Sequence, residues 1–265
     1  MNSNEIKLSI ITINLNNKNG LAKTLKSVFE QKDKEFEYIV IDGASTDRST
    51  DLLNINNSKI DMWVSEKDSG VYEAMNKGIK LAKGEYLLFL NSGDILHNVD
   101  TLKNVIPQLT GENVIYGNLE LEKKNGKEVI EFSSSLTFKN FVGDATAIGH
   151  PSTFIKRELF EKYGMYDTSY RIISDWAFFI FVIIRENVST KKINDIISIF
   201  DLEGMSTNPL NYEKILIEKN HFLSTHFPRF IKDYEEMIET ENILNRIRSA
   251  KGFKLLKKLG IKKFQ

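Results

Sequence analysis

Strand-like and helix-like segments alternate strictly over roughly the first 90 residues, and this alternation constrains the fold more than any other feature. Leu8 to Ile13 is rich in isoleucine without polar alternation, as expected of a strand buried on both faces. Further strands are predicted over 38–41, 62–64 and 86–90, with helices over 20–31, 47–53 and 71–82. This order is typical of an α/β fold, in which helices cover a parallel sheet.

The pattern changes after Asp94. Two β-type runs flank turn residues at 124–126, which predicts a hairpin. The stretch GDATAIGHPSTF, residues 143–154, is predicted to be a loop. Helices are predicted over 99–108, 157–162 and 174–186, and a C-terminal helical extension over 211–265.

Composition excludes several classes of protein. The 36 basic and 36 acidic residues cancel, so no overall field favours a nucleic-acid partner. The absence of cysteine removes disulfides, thiolate metal sites and cysteine nucleophiles. The longest apolar run, WAFFIFVII over 176–184, is roughly half the length of a membrane-spanning helix. The first residues lack the pattern of a signal peptide, so we expect a cytoplasmic protein.

Four carboxylates stand on separate predicted loops or helix starts. They are Asp42 in VIDGASTDRSTD, Asp68 in EKDSGVYEAMNKG, Asp94 in LLFLNSGD and Asp175 in ISDWAFF. The first three lie on the rim formed by the carboxyl ends of the predicted strands, where open α/β sheets bind ligands. A carboxylate there can accept hydrogen bonds from a base N–H and from ribose hydroxyls. In the first motif, Thr46 and Asp47 have the alternative role of capping the next helix.

These motifs resemble those of inverting glycosyltransferases of family 2, which have the GT-A fold and use nucleotide-activated sugars. The resemblance begins with SIITINLNN, VIDGASTDRSTD, EKDSGVYEAMNKGI and LLFLNSGD. It continues through GHPSTF, YRIISDWAFF and IFDLEGMST, which are similar to the acceptor side in enzymes that build bacterial surface polysaccharides. It covers roughly residues 6–207 and implies a catalytic domain over 1–210, with a nucleotide-sugar half at 1–98 and an acceptor half at 99–210. The GT-A fold implies a Rossmann-like, mostly parallel central sheet flanked by helices.

The resemblance assigns roles to individual residues. Nucleotide binding falls to Thr12, Asn14, Asp42, Asp68 and Ser92. Asp94 is the implied ligand of a divalent cation, Mn²⁺ or Mg²⁺, that bridges the donor diphosphate, a task suited to a hard oxygen ligand. The family usually has further aspartates where this chain has Asn91 and Gly93, which leaves Asp94 as the one charged ligand in that motif.

Asp175 is the implied general base for the acceptor hydroxyl. The family often has glutamate before the base, whereas this chain has Ser174. Its neighbours Trp176 and Phe178 predict partial desolvation, which raises the pKa of a carboxylate. The alternative role for Asp175 is that of a helix N-terminal residue favoured by the macrodipole.

Three further residues have two roles open to each. His150 is either a hydrogen-bonded loop residue or a contact to the acceptor or diphosphate. Arg171 pairs either with the diphosphate or with Asp167. Ser206 lies in a turn whose backbone N–H groups could face an anion, and an ordinary turn is the alternative.

The C-terminal residues 246–265 carry eight Lys or Arg and no acidic residue, so the rest of the chain has a net charge of about minus eight. Phe253, Leu256 and Leu259 fall near one helical face. Such a helix either packs on the domain or on a second copy of the chain, or lies in an anionic membrane surface. The membrane role suits an acceptor sugar on a polyprenyl lipid at the inner face of the cell membrane, because docking raises the effective acceptor concentration.

The sequence therefore predicts a metal-dependent glycosyltransferase. It moves a sugar from a nucleoside diphosphate sugar, UDP in preference to GDP, to a glycan acceptor with inversion, in bacterial polysaccharide biosynthesis. A catalytically silent nucleotide-sugar or glycan-binding subunit is the alternative. A dinucleotide-dependent oxidoreductase is disfavoured because NLNNKNG lacks the G-x-G-x-x-G fingerprint. A nucleotidyltransferase would leave the acceptor-side motifs without a role.

Overall fold

The computed structural model describes residues 6–123, 126–143, 148–261 and 263, which form two compact units divided after Glu218. The first unit contains a mixed β-sheet with helices around it, and the helical second unit follows in sequence. The sequence analysis divided the chain by role, into a nucleotide-sugar half, an acceptor half and an extension, with boundaries at residues 98 and 210. These compact units do not test that division, which stays a prediction.

The first half of the sheet is parallel, as the alternation predicted. Its strands are β1 (Leu8–Asn14), β2 (Glu37–Asp42), β3 (Met62–Ser65) and β4 (Tyr86–Phe89), in the order β3-β2-β1-β4. The helices between them are α1 (Lys18–Phe29), α2 (Ser49–Ile55) and α3 (Val71–Leu81). Every residue of β1 and β2 is buried, which explains their continuous apolar runs. Because all four strands run the same way, their carboxyl ends meet at one edge.

The second half of the sheet is mixed. Its strands are β5 (Ile95–Leu96), β6 (Val114–Lys123), β7 (Gly126–Ile130), β8 (Thr153–Lys156) and β9 (Thr190–Phe200). The order continues from β4 as β8-β6-β9-β5, with β7 paired to β6. Here β8 is antiparallel to both β4 and β6, whereas β6 and β9 are parallel. The architecture confirms the α/β, GT-A-like fold class.

The sequence pattern did not predict β8 or β9. Thr153 and Phe154 were placed in a loop, which is wrong, because both belong to β8. Four residues are too few to display a period, and this segment becomes a strand by pairing with β4 and β6. The predicted hairpin is present as β6 and β7, and its turn residues Lys124 and Asn125 lie outside the described residues.

Short helices occupy the connections of this second half. They are α4 (Thr101–Val105), α5 (Phe138–Val142), α6 (Arg157–Tyr163) and α7 (Ser174–Ile180). A 3₁₀ turn at Ile106–Gln108 extends α4, and a π-helical segment at Phe181–Arg185 extends α7. The buried helix predicted over 174–186 is therefore present, with its second half wound more loosely than an α-helix.

Three helices complete the chain, as the pattern from Tyr212 onward predicted. They are α8 (Tyr212–His226), α9 (Pro228–Ser249) and α10 (Lys251–Lys258). No residue of α9 or α10 is buried. On α10, Phe253 and Leu256 are half-buried, while Leu255 remains 58% exposed. Within the described part of the chain, no helix has the length and apolarity needed to cross a bilayer.

The contact between α3 and β1 depends on a glycine. A Cβ atom added at Gly78 would lie 2.5 Å from Cγ2 of Ile11, a buried residue of β1. Real Cβ atoms do not approach a neighbour so closely, so any side chain here would push the helix away from the sheet.

We expect Gly78→Ala to lower the free energy of unfolding by about 1–3 kcal/mol, because overpacking a dense core costs that much. Urea denaturation of the purified protein measures the change. Gly252→Ala, in α10, is the matched control, since its new methyl group meets open space and alanine favours a helix. Equal stability of the Gly78 variant and the unmodified protein would contradict the close approach.

Candidate active site

The register of the parallel strands brings two predicted site residues, Asn14 and Asp42, and one residue that was not predicted, Ser65, to one edge of the sheet. Asn14 is the last residue of β1 and pairs with Asp42, the last residue of β2. Asp42 in turn pairs with Ser65 at the end of β3. The predicted rim therefore exists, and its polar side chains lie next to one another because three strands end at the same level.

Asp42 is fully buried, and protein donors occupy both of its oxygens. Oδ1 accepts from Asn14 Nδ2 at 2.7 Å and from Ser45 Oγ at 2.6 Å. Oδ2 accepts from the Ser45 backbone N–H at 2.9 Å and from Ser65 Oγ at 2.6 Å. A carboxylate offers about four acceptor positions, so these bonds use its capacity. Asp42 thus fixes the loop after β2.

Asn14 connects this loop with the loop after β4. Its Nδ2 donates to Asp42, while its Oδ1 accepts from Ser92 Oγ at 2.8 Å. Thr12 is different, because the structure does not bring its side chain to the rim. Its hydroxyl is fully buried within β1 and shares a 3.0 Å hydrogen bond with the Tyr38 hydroxyl.

Asp68 keeps one carboxylate oxygen available at the rim. Its side chain is 8% exposed, and Oδ1 accepts from Lys77 Nζ, which also pairs with Glu66 at 2.8 Å. Oδ2 lies over Gly43, 3.2 Å from where a Cβ atom would be. Burial raises the pKa of Asp68 even though the Lys77 ammonium opposes the shift. Of the two acids predicted to bind nucleotide, Asp68 is the one with an oxygen directed to the rim.

An exposed apolar side chain lies beside Asp68. Leu15, directly after β1, is 62% exposed, and its Cδ1 is 3.2 Å from the same point above Gly43. The rim therefore combines an acceptor oxygen with an apolar surface, a pairing that fits a planar ring carrying an N–H group.

Asp94 is held in a tight loop between β4 and β5. Its side chain is 3% exposed, Oδ1 accepts from the Asp201 backbone N–H at 2.9 Å, and Oδ2 accepts from the Asn91 N–H at 3.2 Å. Thr24 of α1 anchors this loop, because its hydroxyl donates to the Asp94 carbonyl at 2.7 Å and accepts from the Gly93 N–H at 3.0 Å.

His150 connects Asp94 with Asp175. Its Nδ1 lies 2.9 Å from Asp175 Oδ2, and its Nε2 lies 3.8 Å from Asp94 Oδ2. Burial alone would lower the pKa of His150, but the hydrogen bond to Asp175 and the charge of Asp94 outweigh it and raise the pKa to about 9. His150 is thus a cation at neutral pH. The structure shows it as a hydrogen-bonded residue, and a contact to the acceptor or diphosphate stays a prediction.

Asp175 is partly buried at the start of α7, with 20% of its side chain exposed, and both of its oxygens accept hydrogen bonds. Besides His150 on Oδ2, the Tyr72 hydroxyl donates to Oδ1 at 2.8 Å and also lies 2.6 Å from the Ile172 carbonyl. The predicted rise in the pKa of Asp175 is wrong. Desolvation does raise the pKa, but the bonds from His150 and Tyr72 favour the ionised form and lower it overall.

Arg171 and Ser206 do not join this cluster. Arg171 is exposed, and its backbone N–H donates to Glu218 Oε1 at 2.9 Å. Ser206 is exposed in a turn that the Thr207 hydroxyl closes by donating to the Leu202 carbonyl at 2.7 Å. A role for either residue stays a prediction.

The loop around Asp94 offers hard oxygen donors of the kind that Mn²⁺ and Mg²⁺ prefer. The side-chain amide of Asn91 lies 3.1 Å from His150 Nε2, so a protonated His150 donates to the amide oxygen. Among the described residues, no group of three or more His, Cys, Asp or Glu side chains is placed to hold a metal ion. The residues fit a cation that takes its remaining ligands from a substrate diphosphate and water.

Sequence reasoning missed several residues of the site. Tyr72 lies within the EKDSGVYEAMNKG motif, but its contact with Asp175 joins residues 103 positions apart. Ser65 could have been found from strand register alone, since it ends β3 beside Asp42. Ser45 and Thr24 carry no chemical signal in the sequence, because serine and threonine are common in loops and helices.

The chain is similar to known glycosyltransferases in sequence. The family model described as Glycosyl transferase family 2 matches residues 9–175. A PGL/p-HBAD biosynthesis glycosyltransferase of Mycobacterium bovis is 32% identical over 209 residues, which cover 76% of this chain and 79% of the relative. An uncharacterized glycosyltransferase of Haemophilus influenzae is 26% identical over 230 residues, covering 82% and 78%.

Solved structures support the fold. S. aureus TarS in complex with UDP-GlcNAc has a TM-score of 0.62 and 20% identity, covering 76% of this chain and 60% of that chain. The mannosyltransferase PcManGT from Pyrobaculum calidifontis, in complex with GDP-Man and Mn²⁺, has a TM-score of 0.58 and 17% identity, covering 85% and 64%. This chain thus spans less than two thirds of either solved chain.

We expect Asp42→Asn to lower the free energy of unfolding by about 1–3 kcal/mol, because an amide group would face the buried donors of Asn14, Ser45 or Ser65. Urea denaturation measures this loss. Asp51→Asn, in the same sequence motif but on the exposed side of α2, should change stability by no more than about 0.5 kcal/mol. If the two variants were equally stable, the carboxylate of Asp42 would not organise the rim.

Proposed function

The chain belongs to glycosyl transferase family 2 and is a glycosyltransferase, and on this basis we propose that it transfers one sugar from a nucleoside diphosphate sugar to a glycan acceptor with inversion. The observation that carries the proposal is the partly buried Asp175 carboxylate, held by two hydrogen bonds and connected through His150 to Asp94. Residues 1–98 supply the donor side, and residues 99–210 supply the acceptor side. The product belongs to bacterial polysaccharide or glycolipid biosynthesis, in keeping with the similarity to the mycobacterial relative.

The donor nucleotide binds at the rim formed by β1, β2 and β3. Asp68 Oδ2 accepts the base N–H, and Leu15 covers an apolar face of the base. Asp42 fixes the loop under the nucleotide. Asn14 donates to Asp42 and accepts from Ser92, which links that loop to the loop on the diphosphate side. UDP is the proposed nucleotide, supported by the TarS complexes with UDP-GlcNAc and UDP, and GDP is the alternative, given the PcManGT complex with GDP-Man.

Asp94 would hold the divalent cation. A Mn²⁺ or Mg²⁺ ion bound there would neutralise the charge that develops on the departing diphosphate. Thr24 and the Asp201 N–H keep the Asp94 loop in place, so the carboxylate does not have to reorganise during the reaction.

Asp175 takes the proton from the acceptor hydroxyl as the hydroxyl oxygen attacks the anomeric carbon. The bond between that carbon and the diphosphate oxygen breaks, and its electron pair leaves with the nucleoside diphosphate. One displacement from the opposite face inverts the configuration. The lowered pKa keeps Asp175 ionised at neutral pH, which is the protonation state that a base requires. His150 and Tyr72 orient the carboxylate.

A catalytically silent nucleotide-sugar or glycan-binding subunit is the second candidate, since Asn91 and Gly93 stand where the family usually has aspartates. Such a subunit would bind donor and acceptor but would have no need of an oriented carboxylate beside them. The two candidates therefore differ in the predicted effect of changing Asp175.

We expect Asp68→Asn and Asp175→Asn to separate binding from chemistry. Asp68→Asn should weaken UDP binding at least about tenfold, because a hydrogen-bond acceptor becomes a donor.

Asp175→Asn should leave UDP affinity unchanged and reduce the rate of sugar transfer about 10²- to 10⁴-fold, the usual contribution of a general base. Calorimetry with UDP and GDP, and turnover of the matching sugar nucleotides, measure the two effects. Donor binding by the unmodified protein without turnover on any glycan acceptor would favour the silent subunit.

We also propose that residues 246–265 dock the protein on the inner face of the cell membrane, where the acceptor is a sugar on a polyprenyl lipid. Basic side chains recur along α10, and Leu255 and Leu259 are 58% and 66% exposed. Apolar side chains flanked by lysines suit an anionic bilayer surface. Association with a second copy of the chain is the alternative for these exposed apolar residues.

Reversing three lysines of α10, as Lys254→Glu, Lys257→Glu and Lys258→Glu, should abolish sedimentation with vesicles containing phosphatidylserine, because each lysine contributes about 1 kcal/mol near such a surface. The control reverses three exposed lysines of the first unit, Lys23, Lys80 and Lys103. Equal vesicle binding by both variants would contradict membrane docking. A molar mass of two chains, lost only in the α10 variant, would identify a dimer contact instead.

A further inference from the structure

The loop that carries Asp94 has a space that another residue fills. Gly93 has a φ of +115°, a conformation that side-chain-bearing residues rarely adopt. A Cβ atom added at Gly93 would lie 2.1 Å from Asp201 Oδ2 and 2.8 Å from Asp201 Cγ. The carboxylate of Asp201 therefore occupies the place where a side chain of residue 93 would begin. Residue 93 cannot carry an acid of its own in this backbone.

Strand pairing brings Asp201 to this position. Residue 201 directly follows β9, and β9 pairs with β5, the strand that begins just after Asp94. Ile95 pairs with Ile199, which places the end of β9 beside the loop before β5. The Asp201 backbone N–H donates to Asp94 Oδ1 at 2.9 Å. Two acids that are 107 positions apart in sequence are thus neighbours.

The two oxygens of Asp201 have different surroundings. Oδ1 accepts from the Glu203 backbone N–H at 3.0 Å and closes the turn after β9. Oδ2 lies over Gly93 and, among the described residues, accepts no hydrogen bond. Closing the turn needs only Oδ1, so the turn does not account for the placement of the second oxygen over Gly93.

We propose that Asp201 is the second anionic ligand of the divalent cation, supplied by the loop after β9 in place of the carboxylate that residue 93 lacks. This inference rests on the proposed metal-dependent function. A Mn²⁺ or Mg²⁺ ion in an enzyme of this chemistry takes one or two carboxylates together with substrate phosphates. Asp94 and Asp201 would provide two carboxylates, and the substrate diphosphate and water would provide the remaining oxygens.

The test is a Mn²⁺ titration of the full-length protein followed by electron paramagnetic resonance, with UDP and separately with GDP present. Asp201→Asn keeps the size of the side chain and an oxygen for the Glu203 N–H, and the backbone bond to Asp94 is untouched. Glu203→Gln is the matched control, because it removes one negative charge from the same exposed turn. Thermal unfolding of each variant verifies that the chain is folded.

Asp201→Asn is expected to weaken Mn²⁺ binding in the presence of nucleotide at least about tenfold, while Glu203→Gln stays within about twofold of the unmodified protein. Unchanged Mn²⁺ binding by Asp201→Asn would overturn the inference and leave the proposed function intact. Nucleotide binding without any Mn²⁺ binding by the unmodified protein would overturn the inference and the metal dependence together. If the unmodified protein bound neither Mn²⁺ nor UDP nor GDP, the proposed function itself would be removed.

Discussion

The hydrogen bonds of Asn14 join the loop after β2 to the loop after β4, which the sheet alone only places near each other. The register of β1 and β2 places Asn14 beside Asp42, and the Asn14 amide then donates to that carboxylate and accepts from Ser92. One buried side chain therefore fixes the loop after β2 relative to the loop after β4. A buried, satisfied network of this kind is rigid, because each unpaired member would carry a desolvation cost.

His150 performs the corresponding task between the two halves of the first unit. It follows α5 in sequence and lies between Asp94, after β4, and Asp175, at the start of α7. A protonated imidazole between two carboxylates removes the repulsion that two neighbouring anions would otherwise have. Two acids can thus lie close together at the site. Tyr72 completes the arrangement from α3, so the helix that packs on β1 also orients the Asp175 carboxylate.

Much of the rim at the ends of β1, β2 and β3 could be predicted from the sequence, because its signals are local. A strand that ends in Asp42 and a glycine-containing turn are visible within a few residues, and parallel strands end at one edge. Thr12 shows the limit of that reasoning, since its position in β1 suggested the rim while its hydroxyl pairs with Tyr38 in the core. The lowered pKa of Asp175 could not be predicted from the sequence either. The apolar residues that suggested a raised pKa are adjacent in sequence, whereas the donors that lower it, His150 and Tyr72, are distant.

The sequence by itself determined the α/β alternation, the strand ends that carry acids, and the family, because these depend on the order of residues along the chain. Tertiary structure decided which carboxylate oxygens are occupied, that β8 and β9 are strands, and that Asp201 lies over Gly93. These features arise from contacts between segments as far as 107 positions apart. Such contacts are set by strand register and close packing, and neither leaves a pattern in a short stretch of sequence.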